Sequence, residues 1–184
     1  RTVLIFMNIQ ILDSWLREYL KTKATAKQIA EYLSLTSVSV EKLTQRDSDW
    51  LYDIEVTTNR VDLMSVVGLA REAAAVLPQF EFDAVFKEPV VPKPSVSATQ
   101  KETIDIQNNP KLVSRIMAVI MDVNVKQSPD YIKNRLEASG IRSLNNLIDV
   151  TNYVMREIGH PTHVFDYDRL STKKLIIRES KNGE

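Results

Sequence analysis

Apolar and polar positions along the chain change period several times, and each change predicts an element. Ile9, Ile11, Leu12, Trp15, Leu16, Tyr19 and Leu20 read as a strand running into a short helix, with Asp13 or Ser14 as its cap and the aromatic face inside. Thr25 and Gln28 stand in capping-box spacing ahead of Ile29, Ala30 and Leu33, which predicts a second helix ending near Ser34. Residues 38–40 and 51–56 alternate apolar with polar side chains, the period-two mark of half-exposed strands, with a polar join over 43–50. Asp62 then reads as the cap of a longer helix. Its buried stripe is Leu63, Val66, Val67, Ala70, Ala73, Ala74 and Leu77, and Pro78 stops it.

The second half is patterned differently. Between 86 and 101, Pro89, Pro92 and Pro94 stand among valines with no helical period, so an extended linker is expected. Residues 103–106 and the β-branched run 116–125 are expected to be strands of one sheet. Ser128, Pro129 and Asp130 predict a helix start, with Ser128 accepting an amide proton, and Gly140 predicts its stop. Leu147, Val150, Val154 and Ile158 recur at three and four residues, so they are expected to face the core from a further helix that Gly159 ends. Residues 175–177 read as a strand. The fold class is therefore α+β, with a helix-and-strand module over 7–82, a linker over 83–101 and a mixed domain over 102–184. A turn dipeptide after that strand suggests that the sheet continues in a longer polypeptide.

Composition narrows the function classes. Lys plus Arg equal Asp plus Glu at 24 each, so no chain-wide basic field advertises nucleic acid, and any RNA contact has to be local. The absence of cysteine removes disulfides, thiolate metal sites and cysteine nucleophiles, and it fits a reducing compartment. No apolar run approaches the ~18 residues of a membrane span. A cytoplasmic protein with no membrane partner is expected.

Hydrogen-bonding side chains concentrate over 143–166. Asn145, Asn146, Thr151, Asn152, His160 and His163 surround one helix and its exit, more polar groups than an amphipathic helix needs. By a ~100° step per residue, Thr151 and Asn152 can point into a cleft at the helix C-terminus. Pro161 narrows the backbone around the two imidazoles. Such groups can orient a water for attack on an ester, or hydrogen-bond the ribose and carbonyl of an acylated nucleotide. The plainer account is that the histidines satisfy terminal carbonyls and the asparagines build turns. His160 and His163 lack a convincing third metal ligand, so no metal is assigned. Around Asn59 and Asp62 the plain reading is a turn and a cap, with Arg60 the residue that exceeds it. Arg71 and Glu72 are expected to be solvated or locally paired, and Trp15 and Trp50 to be core.

Three stretches carry a family resemblance. Met7-Asn-Ile with Ser14-Trp-Leu-Arg-Glu-Tyr-Leu, then Ile54-Glu-Val-Thr-Thr-Asn-Arg-Val-Asp-Leu-Met-Ser, and above all Asn145-Asn-Leu-Ile-Asp-Val-Thr-Asn-Tyr followed by Gly159-His-Pro-Thr-His-Val-Phe-Asp resemble the beta subunit of bacterial-type phenylalanyl-tRNA synthetase. The resemblance implies an N-terminal fragment reaching into the domain that hydrolyses tyrosine misattached to tRNA(Phe). Thr151, Asn152, His160, Pro161 and His163 would then line the editing pocket, which glycine and glutamate residues downstream of Glu184 complete. It also implies an alpha-subunit partner in a heterotetramer of two alpha and two beta chains, and tRNA(Phe) as a further partner. ATP and Mg2+ would serve the complete synthetase, with no cofactor in this stretch. The chain departs from the family pattern in three places. Val61 stands where the family has proline, residues 43–50 leave no room for the oligonucleotide-binding barrel many relatives insert, and Gly159-His-Pro-Thr-His-Val replaces Gln-Pro-Leu-His-Ala.

Overall fold

Alternating burial builds a three-stranded antiparallel sheet, in the order β1-β4-β3, from β1 (Met7–Leu12), β3 (Ser39–Arg46) and β4 (Asp49–Val56). Ile9, Ile11, Tyr52, Ile54 and Val56 point to the covered face and are buried. On the other face Asn8 and Gln10 donate their amides to Asp53 at 3.2 and 2.8 Å. The computed structural model describes residues 7–93 and 102–184. The polar join expected over 43–50 is mostly strand. Only Asp47 and Ser48 remain as a turn, with Asp47 at φ 51° in the left-handed region that aspartate tolerates. A ladder bonds main chain to main chain, so polar side chains on its open face do not interrupt it.

Helices cover the inner face of the sheet. In α1 (Asp13–Tyr19) neither Asp13 nor Ser14 is the cap; Leu12 precedes the helix without a side-chain bond. Asp13 is turned inward instead, accepting from Tyr52 Oη at 2.6 Å and from Arg17 Nε at 2.6 Å. Burial, reinforced by the Asp13 carboxylate, pushes the Tyr52 phenol well above its ordinary range. The helix α2 (Ala26–Thr36) begins with the expected Thr25–Gln28 capping box, buries Ala26, Ile29, Ala30 and Leu33, and runs two residues beyond Ser34. Asp62 does not cap the next helix. It lies in a 3-10 turn, Val61–Leu63, and Ser65 caps α3 (Val66–Val76) by accepting from Gly68 N at 3.0 Å. Gly68 is required there, because a Cβ would stand 1.8 Å from the carbonyl oxygen of Asp62. Pro78 enters a second 3-10 turn, Leu77–Phe80, so the chain tightens before it leaves the helical path. A short antiparallel pair, β2 (Leu20–Thr22) with β5 (Ala84–Phe86), extends the ordered module past Phe82.

Two further helices pack with this module, α4 (Asp130–Ala138) and α5 (Asn146–Ile158). The described residues form two compact units: the chain up to Val91 with Val125–His163, and Pro92–Asn124 with Val164–Glu184. Residues 94–101 of the expected linker lie outside the described residues. Ser128 does not cap α4; its hydroxyl donates to Asp149 on α5. The apolar stripe expected on α5 is not its packed face. Val150 and Ile158 are 46% and 47% exposed, whereas Asp149 is buried and Tyr153 stacks on Trp15 with ring centroids 4.6 Å apart.

The second unit, taken by itself, holds β6 (Asp105–Gln107) parallel to β7 (Lys174–Ile176). Tyr167 Oη reaches Thr103 O at 2.9 Å, and Lys173 Nζ sits 3.7 Å from the centre of the Tyr167 ring. The run 116–125 is not a strand, and the partner of β6 is β7 instead. Met117, Val119 and Met121 are exposed. Strand preference expresses burial against neighbouring strands, so a β-branched run does not make a strand by itself.

Candidate functional site

The helix α5 presents the polar residues of interest, and local residues set both its ends. Asn145 Oδ1 accepts from Leu147 N and Ile148 N, each at 3.1 Å, closing the N-terminus. Asp149 accepts from the Ser128 and Ser143 hydroxyls and from Leu144 N at 2.8 Å. Burial pushes its carboxyl up, but these donors outweigh that and hold it below the ordinary carboxylate range. Gly159 ends the helix at φ 77°, and its missing Cβ would lie 3.2 Å from Ser65 Cβ. The exit of α5 is thereby seated against the start of α3.

Tyr153 fixes the rotation of the helix. Besides stacking on Trp15 it meets the edge of Tyr131 and accepts from Arg135, whose guanidinium also pairs with Glu18 and lies 5.2 Å from the Trp15 ring centre. Burial pushes the Tyr153 phenol up to about 12, against the opposing pull of Arg135. One turn on, Glu157 accepts from Tyr19 Oη at 2.6 Å, and burial with that bond raises the Tyr19 phenol above its usual range. Asp149, Tyr153 and Glu157 thus form the packed face at a spacing of four, which a stripe of apolar residues alone does not reveal.

On this frame Thr151 and Asn152 are half-buried near the middle of α5, and His160, Pro161 and His163 follow Gly159 in the exposed exit. Thr151 donates its hydroxyl proton to Ile148 O at 2.7 Å, which leaves its oxygen lone pairs as acceptors. Among the described residues, the Asn152 side chain and both imidazoles make no hydrogen bond. The five residues share one helix and its exit, but no hydrogen bond joins any of them to another. Among the described residues no three His, Asp or Glu side chains converge as a metal-ligand set.

A hollow of about 290 Å³ lies beside the same helix end, lined by Met7, Val61, Met64, Met155, Arg156 and Gly159. None of the five residues lines it. Its charged member, Arg156, escaped the sequence reading; the available signal was a cation in the last turn of a helix, which ordinarily only answers the terminal carbonyls. Arg60, by contrast, is fully engaged, at 2.9 Å from both Asp62 and Glu72, and Ser37 donates to Glu72 as well. The expected local pairing of Glu72 is this three-element knot. Arg71 lies 5.2 Å from the Phe86 ring centre.

Residues 113–184 match the B3/4 domain family. Across a wider span the chain is 41% identical over 139 residues to the phenylalanine–tRNA ligase beta subunit of Dehalococcoides mccartyi, covering 73% of this chain and 16% of that protein. It is 42% identical over 139 residues to the same subunit of Thermotoga maritima, covering 72% and 16%. With the Rhodopirellula baltica subunit it shares 34% identity over 172 residues, covering 92% of this chain and 24% of the relative. The chain is homologous to phenylalanine–tRNA ligase beta subunits. It spans 16–24% of the length of these three relatives. The helix α5 and its exit both fall within the B3/4 match. No helix among the described residues is long and apolar enough to cross a membrane.

Proposed function

We propose that the chain is the N-terminal portion of a phenylalanine–tRNA ligase beta subunit. It runs from a module over 7–82, through a linker over 83–101, into the first part of a tRNA-editing domain over 102–184. The complete ligase would be a cytoplasmic assembly of two alpha and two beta subunits that charges tRNA(Phe) using ATP and Mg2+. The resemblance assigns that chemistry to the rest of the assembly. The part assigned to this chain is hydrolysis of tyrosine mischarged onto tRNA(Phe).

One observation carries the editing reading: Thr151 and Asn152 on one helix, and His160, Pro161 and His163 in its exit, all fall inside the B3/4 match, with both imidazoles open to solvent. Water attacks the ester carbonyl of the misacylated terminus and the acyl C–O bond to the ribose breaks, releasing free tyrosine and returning the proton to the ribose oxygen, while His163 and Asn152 hold the substrate by hydrogen bonds. Thr151, its proton already given to Ile148 O, can only accept, which suits a ribose hydroxyl better than a carbonyl oxygen. Selection rests on the one hydroxyl that separates tyrosine from phenylalanine, because a second site that hydrogen-bonds it destroys the wrong product selectively. The chain by itself is expected to be inactive, since the resemblance puts further pocket residues downstream.

A second reading, a non-catalytic assembly or RNA-contact module, is favoured by the absence of all five residues from the hollow beside α5. Deacylation of Tyr-tRNA(Phe) by the longer polypeptide separates the two. Under the editing reading His163→Ala slows deacylation at least about tenfold while leaving Phe-tRNA(Phe) synthesis intact, as loss of a positioned acid–base or hydrogen-bonding group does. An unchanged deacylation rate removes the role given to His163 and leaves the assembly reading.

A further inference from the structure

The hollow at the end of α5 has walls of one chemistry and a single charge of another. Met7, Val61, Met64 and Met155 line it with thioether and aliphatic surface, and Arg156 supplies its only ionised group. The Nε of Arg156 is buried with no hydrogen-bond partner, and no carboxylate pairs with its guanidinium among the described residues. Burial alone depresses its pKa, with no neighbouring charge to offset it. An Nε left this way lacks the hydrogen bond that burial demands, and the rest of the half-exposed guanidinium stays open to an anion brought from outside. Residues 1–6 and 94–101 contain no Asp or Glu, so those segments of the chain cannot supply the missing anion.

We infer that this hollow is a docking site for a protein segment that carries an Asp or Glu beside a large apolar side chain, the carboxylate pairing with Arg156 and the apolar group entering between Met7, Met64 and Met155. Charge complementarity identifies the anion, and a planar guanidinium takes a carboxylate through two parallel hydrogen bonds. Methionine walls adapt to whichever apolar side chain enters. Nucleic acid is a poorer fit, because phosphate binding is built from several cations and this lining has one. A free metabolite is also a poorer fit: about 290 Å³ falls just below the ~300–1,000 Å³ of pockets that bury small ligands. A side chain anchored by its own backbone does not need that enclosure. The site is separate from the five residues of the editing reading and does not depend on it.

The chain has five methionines, and two of them, Met117 and Met121, belong to the other compact unit. They serve as internal controls in methyl spectra of methionine-labelled protein titrated with acetyl-Ala-Asp-Phe-Ala-amide. The expected result is movement of the Met7, Met64 and Met155 signals with Met117 and Met121 still. The Asn-for-Asp peptide, the Ala-for-Phe peptide and the R156Q protein should each bind at least about tenfold more weakly, the loss expected for one charge-assisted hydrogen bond or one buried ring. R156K should recover part of the affinity, and a circular dichroism spectrum matching the parent establishes that R156Q is folded. Equal binding of the Asn peptide, movement of all five methyl signals, no movement at millimolar peptide, or a stronger response to an oligouridylate than to the peptide would each overturn the inference.

Discussion

Replacing Asp149 by alanine tests whether polar staples rather than apolar packing orient α5. The carboxylate is fully buried and accepts from Ser128, Ser143 and Leu144 N. Hydrogen bonds to a charged acceptor contribute about 1.5–3 kcal/mol each, so three give roughly 4.5–9 kcal/mol. Desolvating the carboxylate offsets several kcal/mol of this, and the two serine hydroxyls can turn elsewhere once it is gone, whereas the Leu144 amide cannot. The expected net loss in D149A is about 2–4 kcal/mol near neutral pH, read as a fall in the urea midpoint at constant slope. The sign with pH follows from the lowered carboxyl. Stabilisation is complete above the unfolded value of 3.8 and is lost as pH falls from there through the lower folded value, so the gap between parent and variant should narrow on acidification. A D149A protein within about 0.5 kcal/mol of the parent at pH 7 would refute this account, as would a gap of the same size at pH 2.

Two further substitutions probe the same architecture. G68A forces a Cβ to within 1.8 Å of the Asp62 carbonyl oxygen, and because backbone must move the expected cost exceeds about 3 kcal/mol; a melting temperature within a degree or so of the parent would contradict it. Y153F keeps the stack on Trp15 and should cost under about 1 kcal/mol in urea denaturation, while Y153A also loses the ring and should cost about 2–4 kcal/mol. Equal losses in the two variants would mean that the Arg135 contact, not the stacking, holds the helix.

Local signals in the sequence determined much of this protein. The Thr25–Gln28 box, the alternation of Ile9, Ile11, Ile54 and Val56, and the left-handed stop at Gly159 each depend on residues within a turn or a strand of one another, and each is realised in the structure. The polar cluster along α5 and its exit was equally legible, since an excess of hydrogen-bonding side chains is visible without coordinates. Tertiary contact decided the rest. Asp62 and Ser128 have cap-forming chemistry, yet Asp62 pairs with Arg60 and Ser128 donates to Asp149, partners that capping spacing does not reveal. The packed face of α5 is aromatic and charged because Trp15, Glu18 and Arg135 arrive from other elements, and periodicity in one helix cannot report what its neighbours bring. The same reason explains why the run 116–125 is not a strand and why Arg156 went unnoticed. A strand depends on its neighbours, and an unpartnered Nε becomes conspicuous only once the fold has buried it.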